Sequence, residues 1–175
     1  MLKVRRLQLP ICSLVIVVCG SFLHDTRAAD VALKDGDVVR LKCLGDSPKS
    51  AARWLMGNTK TGDVALVKEK NSRGTRWAVH RDDRGDLCLR CKDGRKGQLL
   101  YIDGNTVAND VALKKNVKDY TGTHWQVRTD GNTIHLKCEG HIEGPRWLYG
   151  HTESGVVDMS KDGKATGARW EVDKE

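Results

Sequence analysis

A unit of about 47 residues occurs three times along the chain, and this repeat limits the possible folds more than any other feature. Each copy opens with the pattern apolar-x-Leu-basic-Cys and closes with Gly-x-basic-Trp-x-Val. The opening cysteines are Cys43, Cys91 and Cys138, and the closing tryptophans are Trp77, Trp125 and Trp170. Because a fixed repeat length indicates one recurring structural unit, we expect three equivalent units, at about 31–80, 81–128 and 129–175.

Each unit contains four short runs rich in Val, Leu and Trp, separated by turns of Gly, Asn, Asp or Thr. Apolar and polar residues alternate along these runs, as is typical of half-buried strands, and no segment has a sustained helical period. Twelve short strands in three equal units favour an all-β, closed architecture, since closure removes exposed strand edges. A three-bladed propeller is the alternative, although propellers usually have at least four blades.

Alternation also predicts which side of each strand is buried, because successive side chains point to opposite faces of a sheet. Each closing tryptophan shares a face with the valine two residues later. The predicted buried pairs are Trp77 with Val79, Trp125 with Val127, and Trp170 with Val172. The Arg or His that precedes every tryptophan then points outward, and a grip on a polyanion is the alternative interpretation of these basic residues.

The same alternation places Cys43, Cys91 and Cys138 among the small buried hydrophobic side chains, and puts Cys88 on the face opposite Cys91. A local bridge between Cys88 and Cys91 is therefore not expected. One disulfide among the three core cysteines remains open, because cysteines in exported proteins often pair. A three-thiolate metal site is disfavoured, since no nearby histidine completes a known spacing, and we expect neither a metal nor a cofactor.

With three units of four strands, the chain resembles the β-trefoil superfamily over about 31–172. Its units are similar to those of ricin-B-type lectins, and its strand signature is similar to that of MIR and fascin-like trefoils. The resemblance implies a barrel of six strands and a cap of six strands in three hairpins. The Gln-x-Trp signature of ricin-type lectins is absent here. The sugar-contacting residues of those lectins therefore cannot be transferred to this sequence.

Residues 1–28 have the order of a secretory signal peptide: basic residues, an apolar run at 9–19, and small residues ending at Ala28. Cleavage after Ala29 is nearly as suitable, and lipid attachment at Cys19 or an uncleaved anchor are alternatives. The apolar run is shorter than the roughly 20 residues that span a bilayer. We expect a secreted or periplasmic protein, with no membrane span after cleavage and a single domain at 29–175.

Charge and motifs disfavour several functions. Part of the formal net charge of +7 belongs to the leader, and the remaining charges of both signs are interspersed, so no nucleic-acid partner is expected. No phosphate-binding loop, nucleophile motif or metalloprotease histidine pattern occurs, so we do not expect an enzyme. Arg84-Gly85-Asp86 matches an integrin-recognition tripeptide, but lies where these residues are ordinary in a turn.

The surface that we expect to bind a ligand lies on the second strand of each unit. In the trefoils that the chain resembles, the aliphatic residue there enters the barrel, which leaves its aromatic neighbour on the cap side, beside a polar hairpin. An aromatic face next to short amide and hydroxyl groups suits a sugar. The alternative is that these aromatics only hold the hairpins together. The candidate ligand-binding residues are Trp54, Asn58 and Thr59; Tyr101, Asn105 and Thr106; and Trp147, His151 and Thr152.

Trefoil domains usually act as binding modules, and the resemblance therefore implies an exported, non-catalytic binding protein. Carbohydrate is the favoured ligand, and a protein partner is the second option. Two other classes remain as alternatives: a structural component of the envelope or matrix, and a protease inhibitor of the trefoil type. An inhibitor should carry one long reactive loop, whereas the three units have loops of similar length.

Overall fold

The computed structural model describes residues 31–46, 52–94, 97–115, 121–140 and 144–175. The predicted leader lies outside these ranges. In the described part of the chain, four strands fall in each predicted unit, together with two single-turn 3-10 helices at Thr121–Thr123 and Thr166–Ala168. The strands are β1 (Val38–Cys43), β2 (Trp54–Gly57), β3 (Val64–Val67), β4 (Trp77–Arg81), β5 (Leu87–Cys91), β6 (Tyr101–Asn105), β7 (Asp110–Lys114), β8 (Trp125–Asp130), β9 (Thr133–Cys138), β10 (Trp147–Gly150), β11 (Val157–Ser160) and β12 (Trp170–Lys174).

The first and fourth strands of the three units form a closed ring. All pairings in this ring are antiparallel: β1 pairs with β4, β4 with β5, β5 with β8, β8 with β9, β9 with β12, and β12 with β1. The second and third strands of each unit form the hairpins β2–β3, β6–β7 and β10–β11. The prediction of an all-β, closed architecture is therefore confirmed. No helix in the described ranges has the length and apolar character needed to cross a membrane.

The three closing tryptophans are fully buried in the core. Each indole Nε1–H donates to a backbone carbonyl of the second strand in its own unit. The acceptors are Leu55 for Trp77 at 3.1 Å, Ile102 for Trp125 at 3.3 Å, and Leu148 for Trp170 at 3.1 Å. Of the paired valines, Val79 is buried, whereas Val127 and Val172 are partly buried and pack against the core. Each tryptophan thereby connects the barrel of its unit to the hairpin of the same unit.

The core cysteines connect each unit to the one before it, with the first unit contacting the third. All four described cysteines are buried free thiols, which settles the open question of a disulfide. The Sγ of each core thiol lies 3.4 to 3.9 Å from two glycine carbonyl oxygens, and its single S–H can donate to either of them. The pairs are Cys43 with Gly150 and Gly167, Cys91 with Gly57 and Gly74, and Cys138 with Gly104 and Gly122.

Several basic residues that precede the tryptophans are used in contacts within the fold. Arg76 forms a two-point contact with Glu175, at 2.9 and 2.8 Å. Arg53 Nη1 donates to the carbonyls of Cys43 and Gly45, and Arg169 lies 3.9 Å from a carboxylate oxygen of Asp130. These contacts favour a structural role for the basic-Trp pairs over a grip on a polyanion.

Candidate functional site

Two of the three aromatic residues that we expected to bind a ligand, Trp54 and Trp147, are each covered by a loop of their own unit. Trp54 and Trp147 are half-buried. The Lys70 ammonium lies 5.6 Å from the ring centroid of Trp54. The backbone of Gly163 packs so closely against the indole of Trp147 that a methyl group there would collide with it. Both covering residues belong to the loop before the closing tryptophan, so the two indoles hold that loop against the second strand.

The third predicted aromatic, Tyr101, lines a cleft of about 540 Å³ at the junction of the first two units. Its ring is tilted by 59° to that of His80, with centroids 6.2 Å apart.

Cys88 lines the same cleft, on the face of its strand opposite Cys91, as the alternation predicts. Burial, together with the nearby Asp82 and Asp86 carboxylates, raises the pKa of the Cys88 thiol to about 11, so this thiol is protonated at neutral pH.

The turn at this junction brings Asp82, Asp86 and His124 together, with one potential ligand atom from each within 4.8 Å of the others. The guanidinium of Arg84 already contacts all three groups. It lies 3.2 Å from Asp82, 3.6 Å from Asp86 and 2.9 Å from His124 Nδ1. The cluster therefore has an internal cation, and the Arg84-Gly85-Asp86 tripeptide is part of a hydrogen-bonded turn.

The predicted asparagines shape the hairpin tips. The side-chain oxygen of Asn58 accepts hydrogen bonds from the backbone N–H groups of Lys60 and Thr61, at 3.0 and 3.4 Å. Asn105 caps its own turn through Val107 and Ala108, both at 3.1 Å. These bonds occupy the acceptor side of each amide, which leaves the amide nitrogen as the group suited to a ligand.

The predicted threonines differ in exposure between units. Thr106 and Thr152 are buried. The Thr152 side chain of the third unit packs against Gly45 of the first unit. The Thr106 side chain of the second unit packs against Gly140 of the third. Both side chains therefore lie at contacts between units. Thr59 is only partly buried and lines an open cleft.

The hairpin of the third unit opens into a cleft of about 290 Å³ that is rich in short polar groups. Its lining residues are Gly45, Asp46, Tyr149, Gly150, His151, Thr152, Glu153, Ser154 and Thr166. The rings of Tyr149 and His151 meet edge to face, with centroids 4.7 Å apart. The cleft therefore combines an aromatic pair with carboxylate and hydroxyl groups.

Hydrogen bonds fix several of these side chains in place. His151 Nε2 lies 2.9 Å from Asp158 Oδ2. The hydroxyl of Thr166 donates to Asp46 Oδ2 at 2.7 Å. Burial raises the pKa of the Tyr149 phenol, and the neighbouring Cys43, Asp158 and Asp46 act in the same direction. The phenol thus stays protonated and can both donate and accept hydrogen bonds.

The hairpin of the first unit lines a cleft of about 460 Å³ formed by Met56, Gly57, Asn58, Thr59, Lys60 and Arg73. This cleft contains the predicted Asn58 and Thr59, and the third-unit cleft contains the predicted His151 and Thr152. Trp54 and Trp147 are not among the lining residues of either cleft. The structure therefore separates these two aromatics from the polar hairpin residues with which they were grouped.

Sequence reasoning missed Tyr149, the aromatic that accompanies the third hairpin. Tyr149 lies two residues after Trp147 on β10, so both side chains share one face of the strand. Applying the alternation to Tyr149 would have included it with the candidates. Asp46 and Thr166 come from other loops, and no local pattern connects them to this hairpin.

Comparison with known proteins gives matches in structure alone. No protein-family model matches the sequence, and no curated protein matches it. Among solved structures, SeviL bound to asialo-GM1 saccharide is 15% identical, with a TM-score of 0.58, over 79% of this chain and 98% of that one. A GlcNAcα1-4Gal-releasing endo-β-galactosidase from Clostridium perfringens is 12% identical, with a TM-score of 0.62, over 79% of this chain.

A mosquitocidal holotoxin is 11% identical, with a TM-score of 0.65, over 82% of this chain. These neighbours confirm the predicted resemblance at the level of the fold. The likeness shows the fold. This chain spans only 32% of the endo-β-galactosidase and 18% of the holotoxin.

Proposed function

We propose that residues 29–175 form a β-trefoil of three pseudo-symmetric units that acts as an exported, non-catalytic carbohydrate-binding module. The closed ring of six paired strands and the three hairpins support the trefoil arrangement. The similarity to SeviL, which was solved with a bound saccharide and is covered almost completely by this chain, supports the class of ligand.

The cleft of the third unit is the observation that carries the proposal. A sugar presents C–H patches that pack on aromatic rings, and hydroxyls that need both donors and acceptors. Tyr149 and His151 supply the rings, and Asp46, Glu153 and Ser154 supply oxygen acceptors at the rim. Pockets of this kind need few polar groups when those groups are well placed.

The ligand class is tested by screening residues 29–175 against neutral glycans, then measuring the affinity of each hit for Glu153→Gln and Tyr149→Phe. Glu153 is exposed, so its replacement should leave the fold intact. Loss of one charge-assisted hydrogen bond should weaken binding by about tenfold or more. Glu69→Gln removes another exposed carboxylate, from the first unit, and serves as the matched control.

Two results would contradict the proposal. One is the absence of binding to any glycan by a folded protein. The other is a glycan whose affinity is unchanged in both cleft variants. Export is tested separately, by expressing the full chain and sequencing the N-terminus of the product. The proposal predicts that the product begins at residue 29 or 30, and a product that retains the leader would contradict this part of it.

A further inference from the structure

The clefts of the first and third units are lined by equivalent positions of the repeat. Each cleft is lined by the residue that precedes the final glycine of the second strand, which is Met56 in the first unit and Tyr149 in the third. Both clefts continue along the hairpin tip and include the residue four positions before the closing tryptophan. The equivalent pairs are Met56 and Tyr149, Gly57 and Gly150, Asn58 and His151, Thr59 and Thr152, Lys60 and Glu153, and Arg73 and Thr166.

The charges of the two clefts differ at two of these equivalent positions. Lys60 occupies the tip position that Glu153 has in the third unit, and Arg73 replaces Thr166. The first-unit cleft therefore has two cations and no carboxylate among its lining residues. The third-unit cleft has two carboxylates, Asp46 and Glu153, and neither Lys nor Arg. The same concave site thus presents two different electrostatic environments within one domain.

Lys60 and Arg73 are not neutralised by the acidic residues of the described ranges. Both side chains are exposed, and neither forms an ion pair there. Arg73 donates through Nε to the backbone carbonyl of Asp93, at 3.3 Å. The Asp93 carboxylate is directed elsewhere: it accepts from the N–H of Gly74 at 2.8 Å and faces Arg76 at 3.8 Å. Arg73 is therefore held in position by a neutral group and keeps its charge for a ligand.

From this contrast we infer that the first-unit cleft binds the anionic group of an acidic sugar, a sulfate or a carboxylate. The Arg73 guanidinium and the Lys60 ammonium would supply charge-assisted hydrogen bonds to that group. The amide nitrogen of Asn58 and the hydroxyl of Thr59 would contact the neighbouring sugar hydroxyls. The inference rests on the proposed carbohydrate-binding function and adds a ligand charge that the third-unit cleft does not favour.

The experiment compares residues 29–175 with two double variants of equal charge. Lys60→Gln/Arg73→Gln removes the cations of the first-unit cleft. Lys161→Gln/Lys164→Gln removes two exposed cations from the loop after β11 and serves as the matched control. The probes are sulfated and uronate oligosaccharides in separate arms, together with a neutral oligosaccharide. Circular dichroism checks that each variant is folded.

We expect the unmodified domain to prefer at least one acidic probe over the neutral one. The cleft variant should lose about tenfold or more of that affinity, and the control should keep it. Added salt should weaken the acidic interaction more than the neutral one. The arm that shows the effect identifies sulfate or carboxylate as the recognised group.

The inference is overturned if the cleft variant binds acidic probes as well as the unmodified domain does, or if the control loses as much affinity. Neutral binding that depends on Glu153, with no preference for acidic probes, would overturn this inference and leave the proposed function standing. A folded domain that binds neither acidic nor neutral oligosaccharides would contradict both.

Discussion

Replacement of a closing tryptophan by phenylalanine tests whether the three indoles stabilise the barrel through their N–H groups as well as their apolar area. Trp77 is fully buried and donates to the carbonyl of Leu55 at 3.1 Å. In Trp77→Phe this buried carbonyl loses its donor, which costs about 1–3 kcal/mol. The smaller ring also leaves a cavity, and modest core truncations cost about 0.5–1.5 kcal/mol.

Together these effects should lower the free energy of unfolding by roughly 2–4 kcal/mol. For a domain of this size, that corresponds to a decrease in Tm of about 4–16 °C. Guanidinium titration followed by far-ultraviolet circular dichroism measures the change. Trp125→Phe and Trp170→Phe should have similar effects, because their indoles make equivalent bonds in the other two units.

Trp54→Phe is the internal control, since this half-buried indole lies under Lys70 instead of in the core. It should cost less than about 1 kcal/mol, as expected for a replacement outside the core. A closing-tryptophan variant that unfolds at the same denaturant concentration as Trp54→Phe would refute the reasoning.

Three other predictions concern positions with unusual packing or protonation. Gly122→Ala should strongly lower Tm, because the added methyl group would collide with a backbone carbonyl of β6. Gly131→Asn should be tolerated, because φ at this residue is 59°, which Asn can adopt, and no atom lies within 4 Å of the added Cβ. Thermal melts of the two variants check this difference, and equal losses would contradict it. Asp103→Asn should stabilise the domain at neutral pH, because burial raises the pKa of this carboxyl and so penalises its charged form. The gain should disappear in denaturant titrations as the pH falls below the ordinary Asp pKa of 3.8, where the carboxyl is protonated in both the folded and the unfolded state; a pH-independent gain would disagree with this cause. Burial lowers the pKa of His135, so the domain should lose stability as the pH falls below about 6.5, the ordinary His value, and His135→Gln should reduce that loss. An unchanged pH profile in His135→Gln would show that other groups are responsible.

The sequence predicted the elements of the fold because the core repeats strictly. The Cys and Trp patterns recur at a nearly constant interval, and alternation assigned Trp77 and Cys43 to buried faces. The hydrogen bonds from the cysteines to glycine carbonyls of another unit were not predictable. They depend on how the units close into a ring, and no local pattern encodes a contact between residues 43 and 150.

The candidate site was only partly predictable. Four of the predicted hairpin residues, Asn58, Thr59, His151 and Thr152, line clefts of the first and third units. The exposure of Trp54 and Trp147 depends on the loops that follow the third strands, and the sequence does not reveal that Lys70 and Gly163 lie over these rings. Tyr149 was accessible to the alternation rule, whereas its neighbour Asp46 is brought close only by the closure of the third unit onto the first.

The positions that build the fold and those that differ between clefts are distinct. The glycine, cysteine and tryptophan positions are the same in all three units, because each makes a close contact in the core. The third position of each hairpin tip is Lys60 in the first unit, Val107 in the second and Glu153 in the third. All three tip residues are exposed, so substitutions there should change stability by no more than about 0.5 kcal/mol. The charge at each tip can therefore differ between units with little cost to the barrel. Under the proposed function, single substitutions at Lys60 and Glu153 should change the ligand preferences of the two clefts separately while the domain stays folded.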